Sequence, residues 1–413
     1  MLVDFSVKNY RSIRDKQLLS LVAAKDDAHS KTHLIRTGIK TIPNLLKSTV
    51  IYGANASGKT NILKAFDFMR GIVARSATSQ QGEKFNLQPF KLDTTYINHP
   101  SEFEITFLDN GIRYQYGFAL TSERITEEWL FVYKKAKPQE WFTRTYDEKK
   151  NQDIYKLGPH LKGKRKLWVD TTRSNALFLS TAVQLNSEQL LPVYTWIVNN
   201  INFFNAGASP FFKHSVEMLQ KENGKNEIIN FLSSADTSIT DIDVVSRKAT
   251  VYNLKSAGKS NFSTEEEIQS PVFKHETKLD SAMFQLEEES MGTQRLFCLA
   301  APIIEILRDG KILIVDELDS SLHTLLVRRL VSLFHSSEYN QKGAQLIFST
   351  HDTGLLDLNL FRRDQIWFVE KDQDQATKIY PLSDFSPRKN EALEKGYLLG
   401  RYGALPFFND MTN

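Results

Sequence analysis

Several features that mark other classes of protein are scarce in this sequence or missing from it. Its 413 residues include one cysteine, Cys298, which excludes a disulfide within the chain and suits a reducing compartment. No apolar run approaches the roughly 18 residues that a membrane helix needs. The first eight residues carry charges and alternate like a strand, unlike a signal peptide. We therefore expect a cytoplasmic protein with no membrane partner.

The net charge is also small, and the sequence has no repeated segments. The net charge is +3, which is too small to predict nucleic-acid binding from bulk electrostatics. Basic clusters at 134–137 and 162–166 are offset by acidic runs at 265–267 and 287–289, and all are typical of solvated faces. We find no internal repeat and no long heptad array, which excludes an extended coiled-coil arm.

What the sequence does contain is a glycine-rich stretch at 53–60 that fills every fixed position of G-x-x-x-x-G-K-[ST]. An apolar run at 49–52 precedes it, and apolar residues at helical spacing follow it. In this context backbone N–H groups and the helix dipole bind phosphates, Lys59 reaches the β/γ-phosphates, and the Thr60 hydroxyl ligates Mg²⁺. The alternative is a chance glycine-rich turn before a helix. The predicted contacts with a nucleoside triphosphate are Gly53, Ala54, Asn55, Ala56, Ser57, Gly58, Lys59, Thr60 and Asn61.

A second motif follows the most apolar strand that the sequence predicts, 312–315. This strand ends in Asp316 and Glu317, and the carboxyl ends of parallel strands are where open α/β sheets bind ligands. Asp316 is placed to hold Mg²⁺ through water, and Glu317 to accept a proton from the attacking water. The alternative is a pair of capping carboxylates that opens the next helix.

Two further sites complete the set of candidates. His351 follows the strand 345–348, where it can contact the γ-phosphate and orient the water, although a strand-end histidine can also be structural. Ser290 and Gly292 open a predicted helix and can form an anion site. A simple capped helix start would explain the same residues.

The motifs together resemble the ABC-type ATPase heads, specifically the branch of SMC, RecF and the OLD-like ATPases. They occur in the ABC order: the phosphate loop, the Ser290-x-Gly292 signature, Asp316-Glu317 with 319–323 after it, and His351. The resemblance implies an α/β fold. It consists of a mostly parallel core sheet, with an antiparallel β lobe and a helical lobe inserted between the phosphate loop and the signature.

The resemblance also implies a division of the chain. Residues 1–413 are expected to form a single ABC-type head. Its segments are the first strands and phosphate loop (1–75), the β lobe (84–170), the Q-loop region with a helical/β lobe (171–282), the signature to the histidine strand (283–370), and the tail (371–413).

Two more residues are assigned by the resemblance alone. The opening stretch 5–12 looks like the first strand of this branch, in which Arg11 would approach the phosphates. Gln184 is the best match to the Q-loop, which supplies a ligand for Mg²⁺ and water, although Gln80, Gln81 and Gln88 are also available.

In this family two heads sandwich two ATP molecules. The resemblance therefore implies an ATP-dependent homodimer, or a higher oligomer built on it. Lys59, Asp316 and Glu317 of one subunit would meet Ser290 and Gly292 of the other.

The sequence differs from the motif pattern of ABC transporters, which narrows the resemblance to a smaller group of ATPases. Met291 and Thr293 change the signature, and His323 stands where an aspartate is usual. With the tail 391–406, these features resemble the bacterial ATPases found with anti-phage and abortive-infection systems. A separate effector protein, a nuclease or a toxin, is the implied partner.

Two other functions stay open. A DNA-repair or chromosome-structuring ATPase would act directly on DNA, so nucleic acid stays a candidate partner. A self-contained OLD-like nuclease would use the carboxylates Glu370, Asp372 and Asp374, for which a final hairpin with a polar turn is the alternative. The chain after Asp374 is too short for a further βαβ nuclease unit.

Overall fold

A computed structural model describes residues 1–204, 209–234, 238–252, 263–388 and 391–405. The chain divides into two compact units. The first holds the described parts of 1–206, 307–319 and 330–413, and the second those of 207–306 and 320–329. Within the described residues, no helix is long and apolar enough to cross a membrane.

The strands and helices are numbered in chain order. The strands are β1 (Leu2–Lys8), β2 (Gln17–Ser20), β3 (Leu34–Ile39), β4 (Ile42–Leu46), β5 (Ser48–Tyr52), β6 (Ser101–Asp109), β7 (Ile112–Leu120), β8 (Ile125–Tyr133), β9 (Gln139–Asp147), β10 (Gln152–Leu157), β11 (Ile201–Phe204), β12 (Ile239–Tyr252), β13 (Ser263–Glu276), β14 (Ser281–Gln285), β15 (Ile312–Val315), β16 (Gln345–Ser349), β17 (Ile366–Lys371) and β18 (Thr377–Pro381). The helices are α1 (Lys59–Arg75), α2 (Thr94–Ile97), α3 (Arg165–Thr171), α4 (Phe178–Gln184), α5 (Leu191–Asn200), α6 (Ser209–Leu219), α7 (Gly224–Ser233), α8 (Met291–Asp309), α9 (Thr324–His335) and α10 (Leu393–Leu398).

The strands that carry the phosphate-binding and carboxylate motifs lie in one six-stranded sheet. Its order is β11-β15-β16-β5-β17-β18, and every neighbouring pair is parallel except β17 with β18. The strands β5, β15 and β16 are buried along their whole length, which explains their unbroken apolar character. Parallel alignment places the residues that follow these three strands at the same edge of the sheet.

An antiparallel sheet of seven strands, in the order β10-β9-β8-β7-β6-β1-β2, forms the other large layer of the first unit. The sequence Asp109-Asn110-Gly111, between two runs of alternating apolar residues, predicts a hairpin turn, and this turn joins β6 to β7. Asn110 and Gly111 both have positive φ, 48° and 76°, as a two-residue type I′ turn requires. Phe103, Ile105 and Phe107 alternate inward and are fully buried. The predicted α/β class with an inserted antiparallel lobe is confirmed.

The second unit combines helices with a smaller antiparallel sheet. The sequence at 209–234 predicts helical structure, and α6 and α7 cover this stretch. Strands β12, β13 and β14 pair in that order. The sequence also predicts a strand at 250–254, of which 250–252 belong to β12 and 253–262 lie outside the described part of the chain. The division of the chain that we inferred from the resemblance stays a prediction.

The polar composition of residues 25–48 predicts irregular structure. This prediction was wrong, because β3 and β4 pair as a hairpin within these residues. Its strands are short and are interrupted by Gly38 and Pro43, so their apolar residues lack the regular alternation that identifies a strand in a sequence. Strand β14 has side chains that are all exposed. Pairing with β13, rather than burial, stabilises that strand.

Three imidazole rings form a cluster in the first unit, in which His33 and His335 are buried and His29 is half-buried. The centroid of the His33 ring lies 4.4 Å from that of His29 and 3.6 Å from that of His335. His33 Nε2 lies 3.0 Å from the carbonyl oxygen of Leu360. Burial lowers the pKa of His33 to about 4 despite that hydrogen bond, and it lowers the pKa of His335 as well.

We expect this cluster to make the fold sensitive to acid. The unfolded chain would protonate His33 near pH 6.5 and the folded chain only near pH 4, so the unfolded state binds more protons between these values. The free energy of unfolding should then fall by about 2 kcal/mol from pH 7 to pH 5 through His33 alone. Urea unfolding at several pH values should show that the free energy of unfolding depends less steeply on pH in His33→Gln than in the parent chain. The same change at the exposed His160 should not alter the dependence, and equal slopes in all three proteins would contradict the prediction.

Candidate functional site

The phosphate loop joins the C-terminal end of β5 to the start of α1. Gly58 immediately precedes α1 with a φ of 114°, a conformation that glycine adopts without steric cost. A Cβ on Gly58 would lie 2.2 Å from Thr377 Oγ1, and one on Gly53 would lie 2.2 Å from the carbonyl oxygen of Val369. Both glycines are therefore required because the β17–β18 hairpin packs directly against the loop.

The side chain of Lys59 turns back into this loop and is almost completely buried. Its Nζ donates hydrogen bonds to the carbonyl oxygens of Gly53 and Ala54, at 2.6 and 3.0 Å. Burial lowers the pKa of the ammonium group to about 8, although three nearby carboxylates act to raise it. A desolvated cation in a loop of backbone N–H groups favours the binding of an anion.

A cavity of about 240 Å³ opens at the loop. Its lining residues are Asn55, Ala56, Ser57, Gly58, Lys59, Thr60, Asn61, Glu317 and His351. Ser57 Oγ is buried and has no hydrogen-bond partner among the described residues. A buried hydroxyl without a partner, an ammonium group and the first N–H groups of α1 are the donors that a phosphate group accepts from. The residues present fit a nucleotide phosphate.

The two carboxylates after β15 are held by a serine from the neighbouring strand. Ser349 Oγ donates a hydrogen bond to Asp316 Oδ1 at 2.7 Å and accepts one from the backbone N–H of Glu317 at 2.8 Å. Asp316 is buried, whereas Glu317 has an exposed side chain and a positive φ of 53°. Sequence reasoning missed Ser349. The available signal was a polar residue at the end of a mostly apolar strand. Such a strand can lie directly beside β15 in a parallel sheet.

The sequence predicts that this site hydrolyses ATP, and on that prediction Ser349→Ala should lower the turnover number about tenfold. The loss of one buried hydrogen bond to a charged group is about 1.5 kcal/mol, which corresponds to a factor of ten. Steady-state phosphate release would measure it. Ser6→Ala is the matched control, because it removes a buried hydroxyl that has no hydrogen-bond partner among the described residues. Equal turnover in the two variants would show that Ser349 does not position the carboxylates.

His351 lies beside the same carboxylates. Its Nε2 is 3.8 Å from Glu317 Oε1, and its backbone N–H donates to Asp319 Oδ2 at 3.2 Å. Burial and the charge of Lys59 lower the pKa of the imidazole, against the carboxylates that raise it. The neutral ring is therefore favoured at neutral pH, with one nitrogen able to donate and the other able to accept.

The sequence matches the protein family described as "AAA domain, putative AbiEii toxin, Type IV TA system" over residues 48–357, about three quarters of the chain. The chain belongs to this family. The resemblance to ABC-type ATPase heads of the abortive-infection group is thereby confirmed. No curated protein matches the sequence.

One solved structure that resembles this AAA domain is a crystal structure of an SMC head bound to the C-winged helix domain of ScpA. The alignment covers 92% of this chain and 97% of that chain, with 13% sequence identity and a TM-score of 0.44.

Arg11 lies beside the phosphate loop of the AAA domain without lining its cavity. It lines a neighbouring cavity of about 320 Å³ that shares Asn61 with the first. Asn61 Nδ2 donates to Ser12 Oγ at 2.7 Å, which ties the stretch that carries Arg11 to the start of α1. Arg11 Nε donates to the Tyr10 hydroxyl at 3.1 Å. A contact between Arg11 and phosphate stays a prediction.

The structure does not bring Gln184 to the phosphate loop. Gln184 is exposed at the end of α4, and Ser180 of that helix donates to the carbonyl oxygen of Val73 in the last turn of α1. A helix of 17 residues is about 25 Å long, so α4 contacts the end of α1 farthest from Lys59. This arrangement does not favour the predicted role in metal binding. Gln88, one of the alternatives, lines the cavity beside Arg11.

Ser290 and Gly292 lie at the start of α8, in the second unit. Ser290 Oγ accepts a hydrogen bond from the backbone N–H of Thr293 at 3.1 Å, which is the geometry of an N-cap. A Cβ on Gly292 would lie 3.0 Å from the carbonyl oxygen of Ser321. The capped helix start is present, and the first N–H groups that it leaves unpaired can still face an anion.

The carboxylates considered for a nuclease are engaged in the structure of the final hairpin. Glu370 Oε2 accepts from the backbone N–H of Ala404, and Asp372 Oδ1 from that of Asp374. Asp374 also pairs with Arg14 at 2.7 Å. The predicted hairpin with a polar turn is confirmed. In the described residues no group of three His, Cys, Asp or Glu could hold a metal ion.

Proposed function

We propose that this AAA domain is an ATP-hydrolysing switch. It would dimerise around two ATP molecules and control a partner effector, a nuclease or a toxin, in bacterial anti-phage defence. The observation that carries the proposal is the convergence of Lys59, Glu317 and His351 on the cavity at the phosphate loop. Membership of a family described by an AbiEii toxin supports the link to abortive infection.

Each residue has a defined task in this proposal. Thr60 and Asp316 would hold Mg²⁺, which neutralises phosphate charge when bound. Lys59 would exchange its carbonyl partners for the β/γ-phosphate oxygens. Glu317 would accept the proton of the attacking water, and neutral His351 would orient that water by a hydrogen bond.

Dimerisation is proposed because a single phosphate loop leaves one side of the γ-phosphate in solvent. The N-terminus of α8 from a second subunit, with Ser290 and Gly292, would supply donors on that side and exclude water. The residues that bind ATP and those that complete the site would then belong to different subunits.

The test combines three measurements on the full chain. We expect Mg²⁺-dependent release of phosphate from ATP, a shift from monomer to dimer with ATP but not ADP, and recovery of a nuclease or toxin from the native host cell in one nucleotide state only. The absence of either hydrolysis or dimerisation would overturn the proposal. Salt-dependent DNA binding that strengthens with ATP, without a protein partner, would favour the DNA-acting alternative.

A further inference from the structure

A second cavity, of about 400 Å³, lies beside the one at the phosphate loop. The two cavities share Asn55 and His351. The remaining wall is mostly apolar and includes Tyr52, Tyr397 and Leu405. An apolar cavity next to a phosphate site offers a place for an apolar side chain that arrives together with a phosphate-binding group.

The C-terminal segment 391–405 builds this wall and is firmly attached to the sheet. The Phe368 ring of β17 stacks between Tyr397 and Tyr402, with interplanar angles of 17° and 16°. The Tyr397 hydroxyl donates to the carbonyl oxygen of Ala404 at 3.0 Å. These contacts hold the cavity open in one shape, so an occupant would enter a preformed site.

The N-terminus of α8 exposes an apolar side chain to solvent. Met291 is 66% exposed, and it stands between Ser290 and Gly292 in the sequence. Consecutive Cα atoms lie about 3.8 Å apart. Any surface that receives Ser290 and Gly292 must therefore also accommodate Met291.

We propose that Met291 of a second copy of this chain fills the apolar cavity when the ATP-bound dimer closes. The inference rests on the proposed function, which brings the partner's Ser290 and Gly292 to the phosphate loop beside Asn55. Methionine is unbranched and adapts to irregular cavities, and its sulfur makes favourable contacts with aromatic rings such as those of Tyr52 and Tyr397. The tail would then form part of the dimer interface.

The first test measures the dissociation constant of the dimer by sedimentation velocity, with Mg-ATP and in the Glu317→Gln chain. Burial of a methionine side chain contributes enough to change this constant by at least about tenfold. Met291→Asp should therefore weaken the dimer by tenfold or more. Leu279→Asp is the matched control, because Leu279 is an exposed apolar residue of the same unit, and it should change the constant less than twofold.

The second test is a cross-link between two chains that each lack Cys298 through Cys298→Ser. One carries Met291→Cys and the other Leu398→Cys, a half-exposed position of the cavity wall. A short bismaleimide should join them with ATP but not with ADP. If the Glu317→Gln chain dimerises with ATP but shows neither the cross-link nor weakening by Met291→Asp, this inference is wrong and the proposed function stands. If that chain remains monomeric with ATP, both are wrong.

Discussion

Replacing Glu317 with glutamine is expected to slow ATP hydrolysis by about 10²–10⁴-fold and to leave ATP binding in place. Glu317 lines the cavity at the phosphate loop, and its backbone N–H is held by Ser349 at 2.8 Å. A glutamine would therefore occupy the same position, yet its amide cannot accept a proton from the attacking water. The ATP-bound dimer should accumulate, because hydrolysis would no longer make it dissociate. It should elute as a dimer in size-exclusion chromatography.

The matched control is Glu338→Gln, which changes an exposed glutamate that does not line this cavity. Its phosphate release and its elution with ATP should equal those of the parent chain. A Glu317→Gln chain that hydrolyses ATP at the parent rate would remove Glu317 from the role of general base. A chain that binds ATP but stays monomeric would contradict the dimeric switch.

The final hairpin supports the phosphate loop, although its sequence does not suggest such a role. Thr377 Oγ1 donates to the carbonyl oxygen of Ser57 at 2.8 Å and lies 2.8 Å from Ser12 Oγ. The carbonyl oxygen of Val369 lies against Gly53. Two distant parts of the chain, the stretch with Ser12 and the final hairpin, thus lie against the phosphate loop and the start of α1.

Much of the site could be predicted because its signals are local. The phosphate loop is one contiguous motif, and the carboxylates directly follow an apolar run that can only be buried. Asn110 and Gly111 are themselves the residue types that a two-residue hairpin turn favours. In each case the residues that determine the structure lie within one short stretch of sequence.

The remaining features depend on contacts between distant segments. Ser349 reaches Asp316 because β16 pairs with β15, and the sequence does not show which strands are neighbours in the sheet. Gln184 was selected by its order along the chain, which does not reveal that α4 contacts the far end of α1. Strand β14 has no buried face, so only its pairing with β13 identifies it as a strand.

Replacing Lys59 with methionine is expected to weaken ATP binding at least about 100-fold. Hydrogen bonds between charged partners contribute about 1.5–3 kcal/mol each, and 1.4 kcal/mol is a factor of ten in affinity. Calorimetric titration of the Glu317→Gln chain with Mg-ATP would measure the effect. Lys64→Met is the control, because Lys64 lies on the same helix but does not line the cavity, and it should bind ATP like the parent.

The same substitution separates a loss of binding from a loss of folding. Burial lowers the pKa of Lys59 from 10.5 to about 8, so without nucleotide the folded protein holds this charge at a cost. The unfolded chain then binds more protons between pH 8 and 10.5, and the free energy of unfolding through this group rises with pH across that window. Lys59→Met should remove this rise and melt no lower than the parent at pH 7. A lower Tm would show instead that Lys59 stabilises the empty loop, and the lost affinity would then report a damaged fold.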